Sequence, residues 1–489
     1  MPRTGKNFHT SSSGKRKLPL LLLMCALLLT ACGSKDSVEL PPEPEDGVLI
    51  YAALNPVDSK LERSIEDFNE EHTDVQIQVR DYSDENGPQR LLVELAAGRV
   101  PDIMEMQRIG LQDINDVKNV EAMYFGSPLD ADLSGFYWMP YRQMVQKGYL
   151  EDLWPYIEND PDLGREGVLE APLKAAEVDG GLYMLFKEVS VSTLVGPKAL
   201  LGDRCGWTLE ELEEAFAAMP PDSTVLRYDV TQSKVFTALL SPTLEQYIDW
   251  EAGQSHFDSE NFRSMVEFLK FFPAELETNL TPEEVEAENA WNIMEGRQML
   301  EADRIGTLWS VAQHNALFKG SAVYIGYPTA DGSPGSSFIL HGNKLAMSSA
   351  CRDKEAAWEF MRQMLQPQSW GSMRRSMESL GKIRMRINRQ DFEQAIKVEL
   401  SENEKLKREY IDMRMCRNGP FKRVYLAARE DIEPYEAVIN STTQIYWPNT
   451  ALSEVVWDAI GPYLAGDKDI DETIRLLQNR VTLYINEQK

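Results

Sequence analysis

The sequence predicts an α/β fold, with strands and helices alternating around a doubly wound sheet, and three features of residues 48–103 carry that prediction. VLIYAAL at 48–54 is a continuous apolar run, as in a strand covered on both faces. Leu61, Ile65 and Phe68 then fall at i, i+4 and i+7, on one helical face. VQIQV at 75–79 alternates strictly, and a second helix and third strand follow in the same order.

Each element has local reasons to form. Asn55-Pro56 breaks the first strand, and Asp58 is placed to cap a helix over 58–72. After a turn at Asn86-Gly87, Pro88 sits where a first helical turn tolerates proline. Leu91, Leu92 and Leu95 form that helix's apolar side and Gly98 its stop. Pro101-Asp102-Ile103-Met104 opens the third strand. Thr208-Leu209-Glu210-Glu211 and Thr281-Pro282-Glu283-Glu284 have capping-box spacing. Helical faces recur at Phe262, Val266 and Leu269, and at Trp358, Met361 and Leu365, where Pro367 ends the run. Residues 322–327 and 344–347 read as strands around the loop TADGSPGSS at 329–337. Ile470, Ile474, Leu477, Val481 and Tyr484 mark the last helix.

The N-terminus reads as an address. Arg3, Lys6, Lys15, Arg16 and Lys17 precede a 14-residue apolar run at 18–31, with no acid before Asp36. That run falls short of the ~20 residues needed to span a bilayer. A basic region, a short apolar core and small residues at its end are the features of a secretory signal peptide. Leu29-Thr30-Ala31-Cys32 resembles a bacterial lipobox, which implies cleavage before Cys32 and lipidation of its thiol. Residues 32–46, containing PPEPED, then form an extended linker on a lipid anchor. The expected place is the cell membrane, on its extracytoplasmic side.

Charge and cysteine content narrow the classes. The formal charge is −28, and residues 1–31 carry five positive charges and no acid, so the rest carries −33. Such a balance excludes a nucleic-acid partner, whose phosphates demand a basic surface. Once Cys25 leaves with the signal and Cys32 takes lipid, Cys205, Cys351 and Cys416 remain, with no metal-ligand spacing. Hydrolase, zinc-protease, Walker and dinucleotide motifs are missing. No cofactor, metal or catalytic residue is expected. Two opposed carboxylates, all that a glycosidase needs, are open among 78 acids.

Several segments together resemble one family. FNEEHTDVQIQV (68–79), ELAAGRVPDI (94–103), DGGLYMLFKEVSVSTLV (179–195) and GWTLEELEEA (206–215) are similar to stretches of extracellular solute-binding proteins. So are YIGYPTADGSPG (324–335), KEAAWEFMRQML (354–365) and YLAGDKDIDETIRLLQNRVTLYINEQ (463–488). The type is family 1, which includes maltose-binding protein, and the ordered matches span 48–488.

The resemblance implies a two-lobed, periplasmic-binding-protein-like fold, each lobe a sheet flanked by helices, joined by a hinge. It implies an N-terminal lobe of 48–185 plus 300–350 and a C-terminal lobe of 186–299 plus 351–489. It also implies a monomer that binds a small solute in the interlobe cleft and delivers it to the permease and ATPase subunits of an ABC importer. Two departures flank the implied hinge. Phe186 stands where members commonly have proline, and Gly196-Pro197 where they have an aromatic–Asn pair. Residues 385–445 lack a counterpart in smaller members and are expected to enlarge the second lobe.

The family type and the supply of aromatics make an oligosaccharide the leading solute, since sugars need flat rings for their C–H faces and planar amides or carboxylates for their hydroxyls. A peptide or polyamine is the alternative, as is a surface sensor or carbohydrate-active enzyme. The candidate ligand-binding residues are Asn55 and Asp58 after the first strand, and Glu105 and Arg108, with Gln107, after the third. Glu188 and Ser190 lie beside the hinge; Trp309 follows a second crossover, and Tyr446 and Trp447 sit in an aromatic-polar loop with Asn449. Each has a plainer reading. Asn55 ends a strand, Asp58 caps a helix, the two glutamates are solvated or ion-paired, and the tryptophans pack between elements. Tyr137 and Trp138 are candidates for the cleft rim, whereas Trp207, Trp291, Trp358 and Trp457 are assigned to the core.

Overall fold

The structure, a computed structural model, describes residues 44–109, 129, 136–276, 281–367, 384–405, 410–414, 421–425 and 427–488. The signal segment 1–31, Cys32, all but the end of the linker, and Cys416 lie outside the described residues. Residues 44–489 form one compact unit.

The strands used below are β1 (Val48–Ala53), β2 (Gln76–Asp81), β3 (Ile103–Glu105), β4 (Gln107–Ile109), β5 (Phe136–Trp138) and β6 (Leu185–Pro197). They continue with β7 (Glu301–Ile305), β8 (Ala322–Tyr324), β9 (Ser337–Met347), β10 (Met385–Arg386) and β11 (Gln444–Ile445). The helices are α1 (Ser59–Glu71), α2 (Gly87–Ala96), α3 (Leu209–Ala217), α4 (Glu260–Leu269) and α5 (Leu308–Leu317). After them come α6 (Lys354–Arg362), α7 (Arg389–Lys405), α8 (Thr450–Leu464) and α9 (Ile470–Glu487).

The β1-α1-β2-α2-β3 start is as expected. Asp58 caps α1 by accepting from the Lys60 and Leu61 amides. Both capping boxes form, at Thr208–Glu211 and Thr281–Glu284. β1 pairs in parallel with β2 and β3, but β9 then joins β3 antiparallel, and β6 joins β9 antiparallel. The strand order β8-β6-β9-β3-β1-β2, with β7 and β10 on β6 and β11 on β9, makes a nine-stranded mixed sheet.

Two hydrophobic cores lie against this sheet. The first gathers Leu49, Phe68, Leu95, Phe186, Phe338 and Trp358; the second gathers Trp207, Leu212, Phe262, Leu269, Leu452 and Ile474. Strands at their border serve both, because successive side chains of a strand point to opposite faces. Val195 enters the first core and Leu194 the second; Tyr324 enters the first and Val323 the second.

Core membership regroups the chain after residue 350. Trp358 and Met361 of α6, and Met385, Phe392 and Val398 further on, belong to the first core rather than the second. The physical reasons are local. Phe360 stands edge-on to Tyr51 and Phe68, with centroids 6.0 and 5.8 Å away. β10 pairs with Val189 and Glu188 of β6, which holds the segment beyond residue 384 on the first-core side. Trp291, assigned to the core from its helical setting, is 44% exposed.

The two departures from the family pattern are built into the packing. Phe186 is fully buried opposite Lys344 in the β6–β9 register. A Cβ at Gly196 would lie 2.5 Å from Leu201 Cδ1 and 2.8 Å from Leu300 Cδ2, so these two side chains of the second core would have to shift to admit one.

Candidate ligand-binding site

Parallel pairing brings the C-terminal ends of β1 and β3 together, and Glu105 ties them. Its Oε2 accepts from the Leu54 and Asn55 amides at 2.9 Å each and from Asn55 Nδ2 at 2.8 Å. Its Oε1 accepts from the Tyr51 hydroxyl at 2.9 Å and from Asn343 Nδ2 at 3.3 Å. Burial pushes this carboxyl up, while Asn55, Tyr51 and the two backbone amides pull it back. Asn55 also donates to the Gln107 carbonyl and accepts from the Ile109 amide, both at 2.8 Å. Both oxygens of Glu105 are thus engaged by the protein itself, and the knot fixes where β4 begins.

β4 pairs with β5, opposing Gln107 to Trp138 and Arg108 to Tyr137. Lys344 of β9, 1% exposed, donates from Nζ to Gln107 Oε1 and lies 6.0 Å from the Trp138 ring centroid. Burial pushes the Lys344 ammonium down to about 7. Trp138 meets the edge of Trp447 at 4.9 Å and leans on Tyr446 at 6.5 Å. Trp447 is held by Nε1–H donation to the Met139 carbonyl at 2.9 Å, and its amide donates to the Pro242 carbonyl at 3.2 Å.

Trp138 and Trp447 border a cavity of ≈ 400 Å³ whose walls come from both cores. Phe136, Tyr137, Trp138 and Trp447 supply ring surface; Glu245, Asn449 and Tyr484 supply polar groups. Asn449 caps α8 by accepting from the Leu452 amide at 3.0 Å. That orientation turns Nδ2 toward Glu245 Oε1, 2.8 Å away, and the Tyr484 hydroxyl, 3.2 Å away. Burial pushes the Glu245 carboxyl up, with Asn449 and Arg142 pulling it back. Flat apolar faces beside fixed donors and acceptors can seat a ligand that has apolar faces and hydroxyl edges.

A larger groove of ≈ 1090 Å³ runs past Lys198, Cys205, Asn315, Lys319 and Asp431. Tyr324 is its one aromatic wall residue among the described residues, and its Asp431 carboxylate is engaged by Asn315 Nδ2 at 2.8 Å and the Ala428 amide at 2.7 Å. Size favours this groove; side-chain chemistry favours the smaller cavity.

The structure therefore brings Asn55, Glu105, Tyr446 and Trp447 into one continuous cluster through Gln107, Lys344 and Trp138. The other sequence candidates sit apart. Asp58 is an exposed helix cap, and Arg108 donates to the Ser83 carbonyl at 3.0 Å. Trp309 is buried in the first core, its amide donating to Glu399 Oε2 at 2.8 Å. Glu188 pairs with Arg384 at 3.3 Å, and Ser190 Oγ lies 2.8 Å from His341 Nε2. Burial, with Arg384, Lys344 and Arg304 nearby, pushes His341 well below its ordinary value.

Sequence reasoning passed over Lys344, Glu245 and Tyr484. Tyr484 was legible only as a helix-face residue, and Glu245, in the 3-10 turns over Ser241–Tyr247, gave no signal. Among the described residues no His, Cys, Asp and Glu are grouped to hold a metal ion, and no helix is long and apolar enough to cross a membrane. Cys205 is exposed, and Cys351 is a buried thiol pushed up to about 12 by burial.

Residues 51–150 match the family described as bacterial extracellular solute-binding protein. The chain is similar in structure to the sugar-binding protein MalE from the phytopathogen Xanthomonas citri, at 14% identity and a TM-score of 0.50. That likeness covers 90% of this chain and 98% of the other. It is also similar to an extracellular solute-binding protein family 1 from Alicyclobacillus acidocaldarius, at 12% identity and a TM-score of 0.44, covering 91% and 99%. A periplasmic oligogalacturonide binding protein from Yersinia enterocolitica gives 13% identity and a TM-score of 0.47, covering 90% and 99%. No curated protein sequence matches the chain. Residues 51–150 thus resemble bacterial extracellular solute-binding proteins, and the fold of the chain is the two-lobed α/β fold of the MalE-like periplasmic binding proteins.

Proposed function

We propose that this solute-binding protein captures an oligosaccharide in the ≈ 400 Å³ cavity between its two cores and delivers it to an ABC permease from a lipid anchor at Cys32. The observation that carries the reading is the cavity's composition: Tyr137, Trp138 and Trp447 present ring faces, while Glu245 and Asn449 are held in fixed orientation beside them. In this reading the lobes follow the two cores, with β6, β7 and β8 as the strands between them. Glu105, Asn55 and Lys344 act behind the cavity, as the frame that sets Trp138. The protein binds its solute without turning it over.

A thermal-shift screen of residues 44–489 against neutral oligosaccharides, peptides and polyamines tests the reading. An oligosaccharide at ~100 times its dissociation constant adds about 2.7 kcal/mol of stability. The expected result is a rise in Tm with an oligosaccharide that disappears in Trp138→Ala. A response confined to peptides or polyamines overturns the sugar assignment, and hydrolysis of a chromogenic glycoside overturns the assignment as a binder without turnover.

A further inference from the structure

Glu245 is a carboxyl in an unusual place. It is 6% exposed, yet it lines both the ≈ 400 Å³ cavity and a smaller adjoining one of ≈ 30 Å³. Among the described residues its hydrogen bond comes from Asn449 Nδ2 to Oε1, and no ion pair includes it. Asn449 cannot turn away without uncapping α8, and it also meets the Tyr484 hydroxyl. One edge of the Glu245 carboxyl is thus held while the other is left to the cavity.

The charges around it decide what that edge can meet. Lys147 is the cation on the wall of the larger cavity and Arg142 the cation on the wall of the smaller. Among the described residues Glu245 is the acid in each. Two fixed cations against one carboxyl repel a polyamine, although ring faces beside a carboxylate would otherwise suit one. Burial pushes the Glu245 carboxyl up even with Arg142 nearby, and a carboxyl that takes up a proton offers one donor and one acceptor. A hydroxyl group offers the same two in reverse.

We propose that Glu245, positioned by Asn449 and Tyr484, is the specificity-determining hydrogen-bonding group of the cavity and selects an uncharged, hydroxyl-bearing ligand over a cationic one. This rests on the cavity being the solute site. Glu245→Gln keeps a donor and an acceptor in the same shape, whereas Glu245→Leu keeps the volume and removes both.

The test is calorimetric titration of the full soluble body with neutral malto-oligosaccharides and with spermidine. Wild type, E245Q, E245L and W138A are compared, with the ligand-free Tm of each variant recorded. Wild type is expected to bind a neutral oligosaccharide and not spermidine. E245Q should stay within about threefold of wild type and E245L should weaken by about tenfold, the scale of one lost hydrogen bond. If E245L fails to fold, Tyr484→Phe replaces it, with a weakening of about threefold expected from freeing Asn449. Loss of binding in E245Q, or spermidine binding that E245Q abolishes, overturns the proposal. Unchanged affinity in E245L together with loss in W138A overturns it and leaves the cavity as the site. Unchanged affinity in both, or no response of wild type to any neutral oligosaccharide, overturns the cavity reading as well.

Discussion

Lys344 is the residue whose surroundings least resemble its usual ones. An ammonium wholly inside the protein loses its hydration, and burial pushes it down to about 7. Between about pH 7 and ~10.4 the unfolded chain therefore binds a proton that the folded chain does not, so this group's contribution to stability rises with pH across that window. Replacing Lys344 by Met removes the rise. Urea denaturation at several pH values should show wild type gaining on the variant, by on the order of 5 kcal/mol over the window, and a constant difference would contradict the assignment. Trp138 beside it and Trp447 beyond should behave differently from each other. Trp447 is 5% exposed with its indole N–H bonded, so Trp447→Ala should cost about 3–5 kcal/mol of stability. Trp138 is half-buried, and Trp138→Ala should cost less stability while removing solute binding. Chemical denaturation read beside ligand titration separates the two.

At the scale of elements, the sequence was most legible where one period ran unbroken. β1-α1-β2-α2-β3 could be read from spacing alone, and the caps at Asp58, Thr208 and Thr281 fell where their side chains predicted. The length of β6 was not legible, because a 13-residue buried strand shared by two cores has no repeating polar face. Nor was the side on which residues 385–405 would pack, since that follows from a two-residue pairing with β6. The site shows the same division. Glu105 could be placed at a strand end, but its partner Asn343 lies 238 residues away in the chain. Trp138 stood out as an aromatic, whereas Glu245 became a candidate only when α8 brought Asn449 to it. Gly196, a departure from the family pattern in sequence, is closely packed in space. Gly196→Ala would force a Cβ onto Leu201 and Leu300, both buried, and overpacking of this kind costs about 1–3 kcal/mol. Thermal denaturation should show the loss; an unchanged Tm would mean that the border between the cores is looser than this packing.

The whole molecule combines a strongly acidic chain with a sheet that serves two cores. Because alternate residues of β6, β7 and β8 face different cores, one side of the sheet cannot shift without being felt on the other. The cavity lies where the cores meet, and closure of two lobes over a solute is the motion such a border permits. Its position between them, rather than inside either, is what the assignment as a binding site turns on. The most direct measurement is a crystal structure of residues 44–489 with the neutral oligosaccharide that gives the largest rise in Tm. The predicted result is a sugar ring against Trp138 with a hydroxyl within hydrogen-bonding distance of Glu245. A solute seated instead in the groove beside Asp431, or anywhere that leaves Trp138 and Glu245 untouched, would contradict the account.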